Sequence, residues 1–214
     1  MGLKYHLKSL ASKSFFTINK FYDDHAISKD KKRGVDFYKN VKPENIEGYD
    51  HHKYVHYIPS KSWQIKRLLK ASKITCNDAI FDYGCGKGKA LYEFSKYKLN
   101  KIGGIELAKE LADIAKINMQ KLNLPNVKIV NGNALNFTEL DDYNYFFFFD
   151  PFSVDIFKSV INIILTNYKK NPREITIIYM NLRGHDKYLD TIEGFIKHKT
   201  LYNPVRSVIY KYNP

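Results

Sequence analysis

The segment Ala79-Ile80-Phe81-Asp82-Tyr83-Gly84-Cys85-Gly86-Lys87-Gly88-Lys89 constrains this chain more than any other. Five residues suited to a buried strand run into three glycines at alternate positions, and a helical pattern resumes at about Lys89. Glycines in such a turn let the backbone bend tightly and approach a ligand closely. A helix starting there presents free N–H groups. The spacing is G-x-G-x-G, which is neither the G-x-G-x-x-G of dinucleotide folds nor a Walker loop.

The rest of the chain from Pro59 onward repeats strand and helix in turn. Ser60 is placed to cap a helix through about Lys70. Lys101 to Ile105 reads as a second strand, and Leu107 to Leu122 as a helix with Leu107, Leu111, Ile114 and Ile117 on one face. Val127 to Val130 is a third strand and Tyr143 to Phe149 a fourth. The unbroken apolar character of the fourth predicts cover on both faces. Ile156 to Tyr168 is helical, Glu174 to Met180 a fifth strand, and Tyr188 to Ile196 a further helix. Thr200 to Asn203 and Val205 to Tyr212 can close the sheet as a hairpin turning at Asn203-Pro204. Such alternation predicts a mostly parallel, doubly wound α/β sheet with helices on both faces. In such sheets ligands sit beyond the carboxyl ends of the strands.

Residues 1–56 differ: they show no such alternation and hold five of the seven histidines. Leu3, Leu7, Leu10, Ile18 and Phe21 fall at helical spacing, which predicts an amphipathic helix. That helix packs over its own domain or lies on a membrane surface or acidic partner. The expected organisation is a basic, mostly helical extension over 1–56 and a second unit over 57–214. His52 and His56 are four apart, but with His51 they lack a convincing further ligand, and no metal is expected.

Of a formal net charge of +13, +8 falls in residues 1–70. A basic excess points to anionic partners, nucleic acid among them. Thirty of the 35 basic residues are lysine, a bias that an AT-rich genome would also produce. The longest run of bulky apolar side chains, Tyr145 to Phe149, is far short of the ~20 residues of a membrane span. With only Cys76 and Cys85 there is no disulfide framework, and a reducing cytoplasm is the expected setting.

The strand ends carry the chemistry. Asp82 suits a cationic group such as an α-amino group. Glu106, closing the second strand, can accept both hydroxyls of a ribose. The third strand runs into Asn131-Gly132-Asn133-Ala134, where a side-chain amide can meet the edge of an adenine. Asp150-Pro151-Phe152 closes the fourth strand, with Asp150 either at the chemistry or capping the next helix. Asn181, Arg183 and His185 follow the fifth strand as substrate contacts, a general base or ordinary loop residues. Cys85 reads as a small filler of the glycine turn.

FDYGCGKGK, GIE, NGNA and FFDPF, in that order, resemble the successive motifs of class I S-adenosylmethionine (SAM) dependent methyltransferases. The resemblance covers roughly residues 57–214. It implies a Rossmann-like sheet of seven strands with the last one antiparallel, and SAM as cofactor. By match to the motifs, Asp82, Tyr83, Gly84, Gly86 and Gly88 would hold the methionine end. Glu106 with Leu107 would hold the ribose, and Asn133 with Ala134 the adenine. Asp150 would lie near the transferred methyl. Asp150-Pro151-Phe152 resembles the [Asp/Asn]-Pro-Pro-[Tyr/Phe] motif of amino-group methyltransferases with one proline missing, so Pro151 and Phe152 would line the acceptor pocket. Arg33-Gly34-Val35-Asp36 and Tyr54 to Ser60 resemble the lead-in of small stand-alone bacterial methyltransferases, which makes Tyr57 and Ser60 acceptor-site candidates, joined by Asn181.

The function so implied is methyl transfer to a nitrogen or oxygen acceptor. A small molecule or sugar intermediate suits the modest size. Nucleic acid suits the charge, and a protein side chain suits the lead-in. The competing class is a catalytically inactive protein of this fold that binds nucleic acid or membrane through its basic N-terminal third.

Overall fold

The computed structural model describes residues 21, 24–39, 57–202 and 205–214. The amphipathic helix expected over residues 3–21, the three histidines of 51–56 and the turn at Asn203-Pro204 lie outside the described residues, save Phe21, which is exposed.

Seven strands form one sheet: β1 (Ala79–Tyr83), β2 (Lys101–Glu106), β3 (Val127–Asn131), β4 (Tyr145–Phe149), β5 (Ile175–Met180), β6 (Phe195–Tyr202) and β7 (Arg206–Tyr212). Their order is β3-β2-β1-β4-β5-β7-β6. The first five are parallel, and β7 runs antiparallel between β5 and β6. The helices are α1 (24–32), α2 (Ser62–Ser72), α3 (Lys89–Ser95), α4 (Lys109–Lys121), α5 (Val154–Lys170) and α6 (Asp186–Leu189).

The period-2 alternation of side chains sorts the strand residues into two layers. Phe81, Tyr83, Phe146, Phe148, Ile177 and Tyr179 face α5, where they enclose Phe157, Val160, Ile161 and Ile164. Ile80, Phe147, Ile178 and Met180 face Ile65, Leu68 and Leu69 of α2 and Leu91 and Phe94 of α3. The four phenylalanines of β4 are apolar throughout because two helical layers cover them. Rings continue across the first layer: Tyr83 stacks on Phe148 at 4.9 Å, Phe148 on Tyr179 at 5.7 Å, and Tyr179 on His185 at 4.6 Å.

Three expected elements differ. Ser60 does not cap α2. Lys61 takes the cap position without a side-chain capping bond to the helix, and Ser60 is buried. The buried stripe of α4 is Leu111, Ala112, Ala115, Asn118 and Met119. Leu107 precedes that helix and Ile117 is 48% exposed, so the face is rotated toward β3 and residues 35–37. The segment Tyr188 to Ile196 is not a helix: α6 ends at Leu189, and β6 begins at Phe195. Gly194, at φ +91, redirects the chain there, and pairing with β7 outweighs the local helical pattern.

Residues 24–39 pack against the sheet's helices on the side of α3 and α4. Lys89 is buried between Asp30 (2.7 Å) and Glu93 (3.4 Å), with the rings of Phe37, Tyr38 and Tyr92 5.0–5.5 Å from its ammonium. Burial alone would lower the Lys89 pKa, but the bonded Asp30 and nearby Glu93 raise it. A raised lysine pKa means a contribution to stability that is complete below pH ~10.4 and is lost as pH climbs through the folded-state value. Among the described residues no helix is long and apolar enough to cross a membrane.

Phe157 joins the two sides of the α5 layer, edge-on to Phe148, Tyr179 and His185. Phe157→Ala is expected to lower unfolding free energy by about 3–5 kcal/mol, measured as a shift of the urea midpoint at unchanged m-value.

Candidate functional site

A cleft opens at the carboxyl ends of β1, β2, β3 and β4, where a parallel sheet places its ligand. Asp82 is 2% exposed at the end of β1, and among the described residues no group bonds its carboxylate. Burial pushes its pKa well above the carboxylate range, and the charge of Glu106 adds to the shift. A carboxylate in that condition favours a cationic ligand group beside it.

The glycine turn follows. Gly84, Gly86 and Gly88 all have positive φ, at 76°, 53° and 83°. A Cβ on Gly84 would strike Pro151, and one on Gly86 would strike the ring of Tyr57. Gly84 borders the cleft. Gly86 and Gly88 do not line it: Gly86 lies under Tyr57, and Gly88 caps α3 against Met119 and Ala115 of α4. Tyr83 is also displaced from its expected place. Its side chain points into the core, where it stacks on Phe148 and is fully buried. The strand's alternation requires this, because Asp82 takes the opposite face.

Glu106 does more than end β2. One carboxylate oxygen accepts the Gly86 N–H at 2.8 Å and the other the Ala108 N–H at 3.0 Å. The side chain thus cross-links the glycine turn to the start of α4. Burial raises its pKa, against the pull of these N–H groups. Each oxygen keeps a second lone pair, so a diol can still be accepted. Leu107, Ala108, Gly132, Asn133 and Ala134 continue the wall. The Asn133 side chain accepts the Leu135 N–H at 2.9 Å, which fixes its amide oxygen on the backbone.

Asp150 stands at the far end of the cleft, 3% exposed, at φ +45. It does not cap α5, whose cap position is Ser153. Instead the Asn181 amide donates to Oδ2 at 2.9 Å, and Arg183 Nε forms an ion pair with the same oxygen at 2.6 Å. Asn181, at the end of the neighbouring strand, also has positive φ, at 63°. Two non-glycine residues thus share the left-handed region on adjacent strand ends and are bonded to each other, the kind of local strain that clusters at functional sites. Burial raises the Asp150 pKa, while Arg183 and Asn181 hold it back. Phe149, Pro151, Phe152 and Ile156 form the apolar wall beside it.

Tyr57, Ile58 and Ser60 also line the cleft. Tyr57 sits over the glycine turn, packs on Ala108 and Leu111, and donates its hydroxyl to the Phe37 carbonyl at 2.9 Å. His185 is outside the cleft lining, with Nε2 3.1 Å from the Phe152 carbonyl and a pKa lowered by burial. Cys85 is buried in the turn, and burial with the nearby carboxylates raises its pKa, the opposite of an activated thiol. Among the described residues no cluster of three His, Cys, Asp or Glu side chains is suited to a metal. Sequence reasoning placed Arg183 near the site but did not see its bond to Asp150. It missed the partners of Lys87 and Lys89 altogether, since Asp30 and Asp36 lie more than fifty residues away.

The strand order with an antiparallel seventh strand, and a cleft with acidic groups closing β1 and β2, are those of the class I SAM-dependent methyltransferase fold. A family model described as a methyltransferase domain matches residues 74–202, and the chain belongs to that family. A protein-lysine N-methyltransferase of Saccharolobus islandicus is 30% identical over 90 residues, 41% of this chain and 54% of the relative. An rRNA adenine N-6-methyltransferase of Lysinibacillus sphaericus is 33% identical over 82 residues, 38% of this chain and 32% of the relative. The chain therefore spans about half or less of the curated relatives it matches. An RNA methyltransferase of Salinibacter ruber in complex with S-adenosylhomocysteine superimposes with a TM-score of 0.57 at 12% identity, over 73% of this chain and 93% of its own. The precorrin-8w decarboxylase of Methanobacterium thermoautotrophicum does so with a TM-score of 0.55 at 17% identity, over 82% and 96%. These likenesses are likenesses of fold.

SAM fits the residues present: the buried Asp82 carboxylate, which no described residue bonds, suits its ammonium, and Gly84 leaves the close approach its methionine end needs. Because the raised Asp82 pKa disfavours the charged form, SAM affinity is expected to fall as pH drops through that raised value. Asp82→Asn should flatten this dependence, holding affinity near the wild type's low-pH level at every pH, as read by calorimetric titration across pH. For the unliganded protein the sign is opposite: a carboxyl that binds its proton more tightly when folded favours the folded state as pH falls.

Proposed function

We propose that this enzyme transfers the methyl group of SAM to an amino nitrogen of a small molecule or sugar intermediate seated against Asp150. The observation that carries the reading is the state of that carboxylate. It is buried and its backbone strained, and both protein partners meet on Oδ2. Among the described residues Oδ1 is left to accept from the acceptor.

On this reading Asp82 and the backbone at Gly84 bind the methionine end. Glu106 and Leu107 face the ribose. The fixed Asn133 amide donates to the adenine ring rather than accepting from its amino group, with Ala134 alongside. Tyr57 belongs to the cofactor wall, since it packs on the glycine turn and on Ala108. Gly86 and Gly88 act through the turn's shape.

Bound SAM supplies an electrophilic methyl on a sulfonium. The chain's own residues do the rest. Asp150 Oδ1 accepts an N–H of the acceptor and so aims the nitrogen lone pair, and most of the acceleration comes from that alignment. Its raised pKa lets it take the proton released on transfer. Phe149, Phe152 and Ile156 exclude water from the acceptor, while Asn181 keeps the carboxylate in place. Tyr57, Ile58 and Ser60 roof the cleft, which suits a small acceptor better than a broad polymer groove. Residues 57–214 form the catalytic unit on this reading, with 1–56 as its cover.

A nucleobase amino group is the second reading. It is favoured by the Asp150-Pro151-Phe152 sequence and by the likeness to the Lysinibacillus rRNA adenine N-6-methyltransferase.

Incubation with methyl-labelled SAM and separated small-molecule, RNA and protein fractions tests both. Label in the small-molecule fraction supports the first reading; label in RNA replaces it with the second. Asp150→Ala is expected to lower kcat by about 10²–10⁴-fold with SAM affinity nearly unchanged. An equal loss in both would place Asp150 in the cofactor site. Glu106→Gln keeps the shape but turns one acceptor oxygen into a donor facing an N–H, and should weaken SAM binding by about 1–3 kcal/mol.

A further inference from the structure

Lys87 lies in the middle of the glycine turn, yet its side chain is fully buried and leads away from the cleft. Its ammonium donates to Asp36 Oδ2 at 2.9 Å and to the Lys39 carbonyl at 2.6 Å. The backbone of the same two residues is tied through Asn118 of α4. The Asn118 amide accepts the Asp36 N–H at 2.8 Å and donates to the carbonyls of Asp36 and Lys87 at 3.0 Å each. One residue further on, the Phe37 carbonyl accepts the Tyr57 hydroxyl, and the Tyr57 ring covers Gly86. A closed circuit therefore runs from Lys87 to Asp36, Phe37, Tyr57 and back to Gly86.

We propose that Asp36 and Lys87 are positioning residues of the cofactor site, which set the glycine turn and the Tyr57 ring for SAM from the side opposite the cleft. Neither touches the cofactor in this scheme; they act through Tyr57 and through the backbone at Gly86. The argument is one of constraint. Three glycines give the turn wide conformational freedom. Its shape at Gly86 is held by the Glu106 carboxylate on one side and by the Lys87 ion pair on the other. A buried ammonium deprived of its carboxylate retains a large desolvation penalty, so loss of Asp36 drives Lys87 out of its seat and reshapes the turn that carries it. The proposal gives the N-terminal segment a role that its basic charge did not disclose: an acidic residue in it grips a lysine of the cofactor loop. It rests on the reading of this cleft as the SAM site.

The test is calorimetric binding of S-adenosylhomocysteine to the full-length protein and to Asp36→Asn, Asp36→Glu and Tyr57→Phe. Measurements are made at a temperature where far-ultraviolet circular dichroism shows each variant folded. Asp36 is partly exposed and Tyr57→Phe removes only a hydroxyl, so at least one variant keeps its fold. The expected result is affinity about two- to thirtyfold weaker for Asp36→Asn and weaker also for Tyr57→Phe, with Asp36→Glu near the wild type. The Asp36→Asn/Tyr57→Phe double variant should lose less than the product of the single losses, because both break one circuit. Wild-type affinity in Asp36→Asn overturns the proposal, as do strictly multiplicative losses. Failure of the wild-type protein itself to bind S-adenosylhomocysteine overturns the SAM reading of the cleft instead, so the two failures are distinct.

Discussion

The turn between β1 and α3 has few side chains of its own, and the site depends on how others hold it. Glu106 brings its carboxylate from β2 to the Gly86 N–H, and Tyr57 lays its ring on the same residue. Lys87 and Lys89 reach into the segment 30–39 and find Asp36 and Asp30 there. Burying so many charges is favourable only where each has its partner. That condition fixes the relation among β1, β2, α3 and residues 30–39 more tightly than apolar contact alone, since a slip of an ångström breaks several charge-assisted bonds at once.

The sheet was legible because its signals are local and periodic. Short apolar runs ending in polar or glycine residues gave the strands from β1 to β5 nearly to the residue. The unbroken run of β4 declared its double cover. The failures share a cause. Tyr188 to Ile196 has a helical pattern, but the partner that makes its end a strand is β7, beyond a turn. The face of α4 was misread because Val35 and Phe37, which it packs against, lie some eighty residues earlier and carry no spacing signal. Ser60 looked like a cap because the helix start was placed one residue early.

The strand-end rule located Asp82, Glu106, Asn133 and Asp150 around one cleft, and all four line it. What the sequence could not supply was orientation. Tyr83 is adjacent to Asp82 and yet faces the core, as the pleat demands. Gly88 serves the approach of α3 to α4. The Asn133 amide is turned by a bond to Leu135. Tyr57 was singled out, but its place over the glycine turn depends on the Phe37 carbonyl, a backbone group invisible to motif reading.

The pairing of Asp150 with Arg183 bears on which nitrogens the site can accept. Arg183 is largely exposed, yet its Nε is held on the buried carboxylate at 2.6 Å. A nitrogen donating to Oδ1 need not displace it, since the guanidinium and Asn181 occupy Oδ2. An ammonium arriving there would sit one carboxylate away from a fixed guanidinium and would have to lose a proton before its lone pair existed. A neutral amino group meets neither cost: it donates one N–H, keeps its lone pair for the methyl, and gives up its proton only as transfer proceeds. Asp150 with its charge shared in this way is a strong hydrogen-bond acceptor held in one orientation. The proposed chemistry therefore leans on alignment, and the proton follows the methyl rather than preceding it.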